Sequence, residues 1–293
     1  MPTFRKMPMY LLKELAVFCL FMIIATIADL LYWSTDKVLI GATLGSVAVA
    51  IYNVGGVFTS IMQNLAQAIS QVFTPKISMM ATKKDQSMDE ISDIMIRVGR
   101  LQFFIVSFIL SGYAVFGQCF IRIWAGEEYA EAYYVALLTM IPLSVPLIQS
   151  IALATITAQN KHRFRAVVYV VIAVVNVIST WLVLPYWGII GAAACTMMAF
   201  TVGSGIVMNI YYYRVVKLDI PRFWENIYKI AIVPLLLAVC GWFVVNPLLY
   251  LNSWLELFIG ALLYSVVFWL LNWFVNMNRS EKQLLLGNVI KRG

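Results

Sequence analysis

The sequence predicts an all-α integral membrane protein of about eight transmembrane helices. Three observations carry this: 62% of its 293 residues are hydrophobic and only 12% charged; the apolar residues fall in runs long enough to span a bilayer as helices; and Lys and Arg gather in alternate connections. A soluble domain is nearer half apolar and a quarter charged. A mean hydropathy of +0.85 leaves little polar surface to meet water.

Runs of roughly 17–25 apolar residues, the length that crosses the hydrocarbon core, fall near 11–33, 46–72, 96–118, 132–157, 166–187, 189–213, 226–247 and 252–275. The ten-residue alternation of a membrane barrel strand is absent. The first run reads as a retained helix, because it is longer than a signal peptide and no small-residue cleavage site follows it.

All but Lys37 and Arg122 of the 21 Lys and Arg residues fall at the two ends or after spans two, four and six. The positive-inside rule then puts both termini in the cytoplasm. Trp33, Trp124, Trp187 and Trp254 mark the four outer connections, where an interfacial aromatic belt sits. The net charge of +7 is thus a topology signal, and no nucleic-acid partner is called for. The four cysteines are scattered and His162 stands alone in a basic loop, so neither a disulfide framework, a metal site nor a cofactor is indicated. No nucleophile–base set or phosphate loop appears, and no catalytic residue is assigned.

Elements with local character follow in order. "TDKVLIG" places Asp36 and Lys37 where the first span ends. In the second span Asn53, Gly56, Ser60, Gln63, Asn64, Gln67 and Gln71 recur mostly at steps of three and four, which collects them on one helix face. Such a face is unfavourable against lipid, so it looks onto a water-filled cavity or another helix. Uncharged amides both donate and accept, and so suit hydroxyl-rich ligands such as sugars. Pro142 and Pro146 kink the fourth span, with Gln149, Ser150 and Thr155 just beyond. "GIIGAAAC", from Gly188 to Cys195, supplies small residues for close helix packing.

"TDKVLIGATLGSVAVAIYNVGG", "FIRIWAGEEYAEAYYVALLTMIPL", "ATITAQNKHRF" and "VVNVISTWLVLPYWGIIGAAACTMMAF" resemble, in order and spacing, successive motifs of the bacterial polysaccharide-export flippases. These are the O-antigen and teichoic-acid exporters of the multidrug/oligosaccharidyl-lipid/polysaccharide superfamily. The resemblance is strong over roughly 25–215 and mostly hydropathic beyond. It implies that 1–215 is a six-helix C-terminal lobe of a two-lobed, MATE-like transporter and that 216–293 holds two trailing helices and a short cytoplasmic tail. The first lobe would come from the same or another polypeptide, or a second copy of the chain would stand in for it.

The resemblance further implies a flippase, not an enzyme, in a bacterial cytoplasmic membrane. It would move undecaprenyl-diphosphate-linked oligosaccharide to the outer leaflet. Asp36, Lys37, Asn53, Ser60, Gln63, Asn64, Gln67 and Gln71 would line the cavity, with Asp36 and Lys37 at its outer mouth or forming a mutually neutralising pair at a helix end. Arg97, Arg100, Arg163 and Arg165 would attract the diphosphate, unless they serve topology alone; Lys161 lies beside them. The alternatives are a multidrug or cation antiporter, whose carboxylates would have to come from Asp29 and Asp36, and a membrane-embedded polysaccharide polymerase or glycosyltransferase.

Overall fold

A computed structural model describes residues 9–81, 88–248, 253–279 and 281–283. Every regular element among them is helical. Helix α1 (Met9–Leu44) turns at Gly45, whose φ of +85° suits a residue without a side chain, into α2 (Ser46–Ala81). Helix α3 (Met88–Trp124) leads through Gly126 and a short 3₁₀ turn, Glu127–Tyr129, to α4 (Glu131–Ile148) and α5 (Ser150–Ala158). Then come α6 (His162–Phe200) and α7 (Met208–Tyr211), joined and followed by wider, π-type turns at Thr201–Val207 and Tyr212–Val216. Helices α8 (Ile220–Leu248) and α9 (Trp254–Leu271) form the trailing pair.

Among the described residues six helices are long and apolar enough to cross a membrane. One of them, Arg163–Val216, counts twice. At Gly188 the backbone takes φ 56° and ψ −149°, a conformation nearly confined to glycine, and the helix folds back there. Asn176 hydrogen-bonds Thr196 at 3.4 Å and Tyr169 meets Ser204 at 3.4 Å. In a straight helix the second pair would stand about 50 Å apart. The two arms, 162–187 and 189–216, are the fifth and sixth expected spans; in α1, where the first is expected, a shorter apolar stretch, Leu15–Ile24, stands out.

Two boundaries differ from expectation. Helix α2 continues past 72 and through Pro75, because Ile77 and Ala81 are buried and packing outweighs the one ladder bond a proline removes. The fourth span divides into α4 and α5 at Gln149, whose φ of −103° and ψ of 18° are not helical. Pro142 and Pro146 just upstream have already removed two donors from that ladder.

Helices α8 and α9 are built into the core of the bundle. Phe223 of α8 is buried against Gly99 of α3, where an added Cβ would stand 2.5 Å from its ring. Gly241 of α8 meets Val115 of α3 as closely. Phe268 of α9 lies 5.1 Å from Phe108. One apolar cluster runs from Met62 on α2 through α3, α4 and α5 to Phe223, Ile227 and Ile230 on α8. Asp219 caps α8 by accepting from the Arg222 amide at 3.1 Å. The basic residues of 1–8, 82–87 and 284–293, and the side chain of Asp29, lie outside the described residues.

Candidate functional site

Asp36 sits two turns before the end of α1, and its side chain is where four helical segments converge. One carboxylate oxygen accepts from the Tyr52 hydroxyl of α2 at 2.9 Å and from the Thr196 hydroxyl at 2.6 Å. The other accepts from the Asn176 amide at 3.3 Å and the Thr180 hydroxyl at 3.4 Å. Asn176 and Thr180 are one turn apart on the first arm of α6, and Thr196 faces them from the second arm. Gly188 is therefore what brings these three donors onto one carboxylate. Ile40, Tyr52, Val135, Leu184, Ile189, Ala192 and Ala193 pack around it, so the small residues after Gly188 do serve close packing.

This corrects the placement of Asp36 at an open outer mouth. It is 2% exposed, inside the helix bundle, and its partners are neutral. Lys37, one position on and so about 100° round the helix, is half-buried and points elsewhere. A buried carboxylate is costly unless its charge is balanced, and the Asn176 side-chain oxygen is buried there with no hydrogen-bond partner. Four neutral donors are what balance the Asp36 charge inside the bundle. No cluster of three metal-ligating side chains occurs among the described residues.

The amide stripe of α2 lies on a different face. Tyr52, Gly55, Thr59, Met62 and Ala66 turn into the bundle, while Asn53, Ser60, Asn64, Gln67 and Gln71 are exposed and Gln63 is half-buried. Thr59 fastens the inward face through a 2.8 Å hydrogen bond to Thr139 of α4. The outward face carries five polar side chains over five turns in a chain otherwise clothed in Val, Ile, Leu and Phe.

The four arginines separate. Arg100 is not available at an inner entrance: it is 6% exposed, its guanidinium grips both carboxylate oxygens of Glu281 at 2.6 and 3.0 Å, and it donates to the Asn276 carbonyl at 2.9 Å. That fork-on-fork geometry ties α3 to the end of the trailing pair. Arg97 and Arg163 are exposed. Arg165 lies over the Tyr169 ring at 4.5 Å.

Tyr52, Asn176, Thr180 and Thr196 were not singled out as site residues by sequence reasoning. The available signal was Asn176 and Thr180, two polar residues four apart on one face of a very apolar span. His162, expected in a loop, opens α6.

Length, helicity and the buried polar sites define an all-α, multi-pass membrane protein. Comparison narrows the class. Residues 4–134 match a family described as polysaccharide biosynthesis protein. Over 250 residues the chain is 22% identical to the probable low-salt glycan biosynthesis flippase Agl15 of Haloferax volcanii, covering 84% of this chain and 51% of that protein. The chain thus spans about half the length of this relative. No solved structure matches it. Both matches support the polysaccharide-export flippase family that the motifs resemble.

Proposed function

We propose that the chain is one lobe of a flippase that carries a lipid-linked oligosaccharide, undecaprenyl-diphosphate-linked in a bacterial cytoplasmic membrane, from the inner to the outer leaflet. The observation that carries this reading is the exposed amide face of α2. Polar groups against hydrocarbon are unfavourable, so this face borders water or a second lobe, and its uncharged donors and acceptors match a sugar's hydroxyls. The second lobe is a separate polypeptide, a further part of the same one, or another copy of this chain. Arg97 and Arg163 at the inner end suit an anionic diphosphate. Lys37 stays with the outer end of the path.

In this reading the Asp36 cluster is the coupling site. Occupancy by a proton or cation alters the charge at the point that joins α1, α2 and both arms of α6, and so biases how they pack. The same buried carboxylate is the one observation that favours a cation-coupled drug antiporter. The amide stripe favours a sugar, because an antiporter for cationic drugs calls for carboxylates on the exposed face.

The test is export of surface polysaccharide by a two-lobed assembly in a strain lacking its own flippase. Gln63→Leu, Gln67→Leu and Gln71→Leu together should abolish export and leave membrane insertion intact. The chain alone should not restore export; co-expressed with a matching N-terminal half, it should. Normal export by the triple variant, or rescue by the chain alone, would overturn the proposal.

A further inference from the structure

Two irregular helices and one firmly anchored helix meet at a buried amide pair in the inner half of the lobe. Helix α4, weakened by its two prolines, breaks at Gln149. The returning arm widens at Thr201–Val207, and wide turns of this kind are frequent at functional positions. Asn209, just past the wide turns, uses its side-chain amide to cover the Ser204 and Gly205 carbonyls at 3.1 and 2.8 Å. Gln149 donates to the Asn209 side-chain oxygen at 2.7 Å and accepts back from its amide at 3.3 Å. The Trp224 indole of α8 donates to the same Asn209 oxygen at 2.9 Å.

The surroundings divide into a frame and a foot. The start of α8 is fixed to α3 by Phe223 in the Gly99 notch, by the Asp219 amide on the Ser92 hydroxyl at 3.1 Å and by the Arg222–Asp93 ion pair at 2.8 Å. The segment that follows α9 is fixed to the same helix through Arg100 and Glu281. Against this frame stand α5, the basic turn at 159–165 that follows it, and α7, which is bound to that turn. Phe164 stacks on Tyr211 at 4.2 Å, and the Tyr211 hydroxyl donates to the Lys161 carbonyl at 3.3 Å. The connections from this foot to α4 and to the returning arm pass through an irregular turn, whereas the first arm of α6 leaves it as regular helix and turns with it. On its other side the break is held by Ser150, which donates to Gln102 of α3 at 3.0 Å. Every group at the joint is neutral, so its partners can exchange, with one another or with water from the inner face, without uncovering a charge.

We propose that Gln149, Asn209 and Trp224 form a lock that holds the α5–α7 foot, with its basic turn, against the α3–α8 frame. Opening of the lock lets the foot bend away at the α4–α5 break and at the wide turns of 201–207, widening the inner side of the lobe. The three residues act by position and touch no substrate.

Spin labels at Val167→Cys, on the α6 arm that leaves the foot, and at Glu225→Cys, on α8 of the frame, report the motion. They are placed in the full chain with Cys19, Cys119, Cys195 and Cys240 replaced by serine, in lipid nanodiscs, and read by pulsed electron resonance. The wild-type lock should give a major short and a minor long distance. Gln149→Leu and Asn209→Leu should each raise the long population several-fold. The exchanged pair, Gln149→Asn with Asn209→Gln, should bring it back towards wild type. Trp224→Phe, which keeps the ring and loses only the donor, should lie between and serves if the leucine variants do not fold. A single narrow distance in every folded variant, with only the melting temperature lowered, would overturn the lock and make these residues a static brace. Export is not read in this experiment, so that result would leave the flippase proposal standing.

Discussion

The Tyr52 hydroxyl donates to the Asp36 carboxylate at 2.9 Å, so α2, which bears the amide stripe on its outer face, is tied by its inner face to a carboxylate buried beside the α6 hairpin. A change at Asp36 therefore reaches the helix proposed to border the sugar. Replacing Asp36 by Asn keeps a side chain that hydroxyls can bond and removes the charge. Purified wild-type protein should melt at a temperature that depends on proton or monovalent cation concentration, since a ligand of the folded state raises its stability; Asp36→Asn should lose that dependence. Identical responses from the two proteins would remove the ion from the site. Asp36→Leu strands the four donors and should cost about 1–3 kcal/mol.

Arg100 and Glu281 form a buried pair separated by 181 positions in the chain. Glu281→Ala leaves a guanidinium without its partner inside the protein and should destabilise by about 3–5 kcal/mol. Arg100→Met combined with Glu281→Leu should cost less than Glu281→Ala alone, because no charge is left behind. Denaturant titration of the single and double variants measures the difference. Equal losses would mean that packing at this point, and not the charge, fixes the trailing helices.

Gly188 holds φ 56° and ψ −149° with open space where a Cβ would go. Gly188→Ala is strained by its backbone alone, and a loss of about 1–3 kcal/mol is expected, measurable by thermal melting. A change in that turn also moves Thr196 relative to Asn176, so the ion dependence of stability should weaken with it. Unchanged melting would show that the fold-back is set elsewhere.

Orientation is open to a direct check. Single cysteines placed at 161–163 should be protected from an impermeant thiol reagent added to intact cells, and one at Glu127 should react. The opposite pattern would invert the chain and take the arginines at 97 and 163 away from the inner face.

The all-α class, the long apolar runs and the face of α2 that carries the amides are legible in the residues alone. Apolar length and a 3.6-residue period are local properties, and the bilayer enforces both whatever the rest of the chain does. Gly188 stood between two expected spans for the same reason. What the polar residues inside the spans do depends on how the helices meet. Asp36 reads identically whether it sits at a mouth or in a core; its burial follows from a hairpin that sets Asn176, Thr180 and Thr196 around it, 140 to 160 positions further on. Arg100 resembles Arg97 and Arg163 in sequence, since every charge near a membrane end satisfies the same topology rule. It is withdrawn from the surface by a glutamate at the far end of the chain. Partner choice among like residues depends on which helices cross, and that depends on how the whole bundle packs.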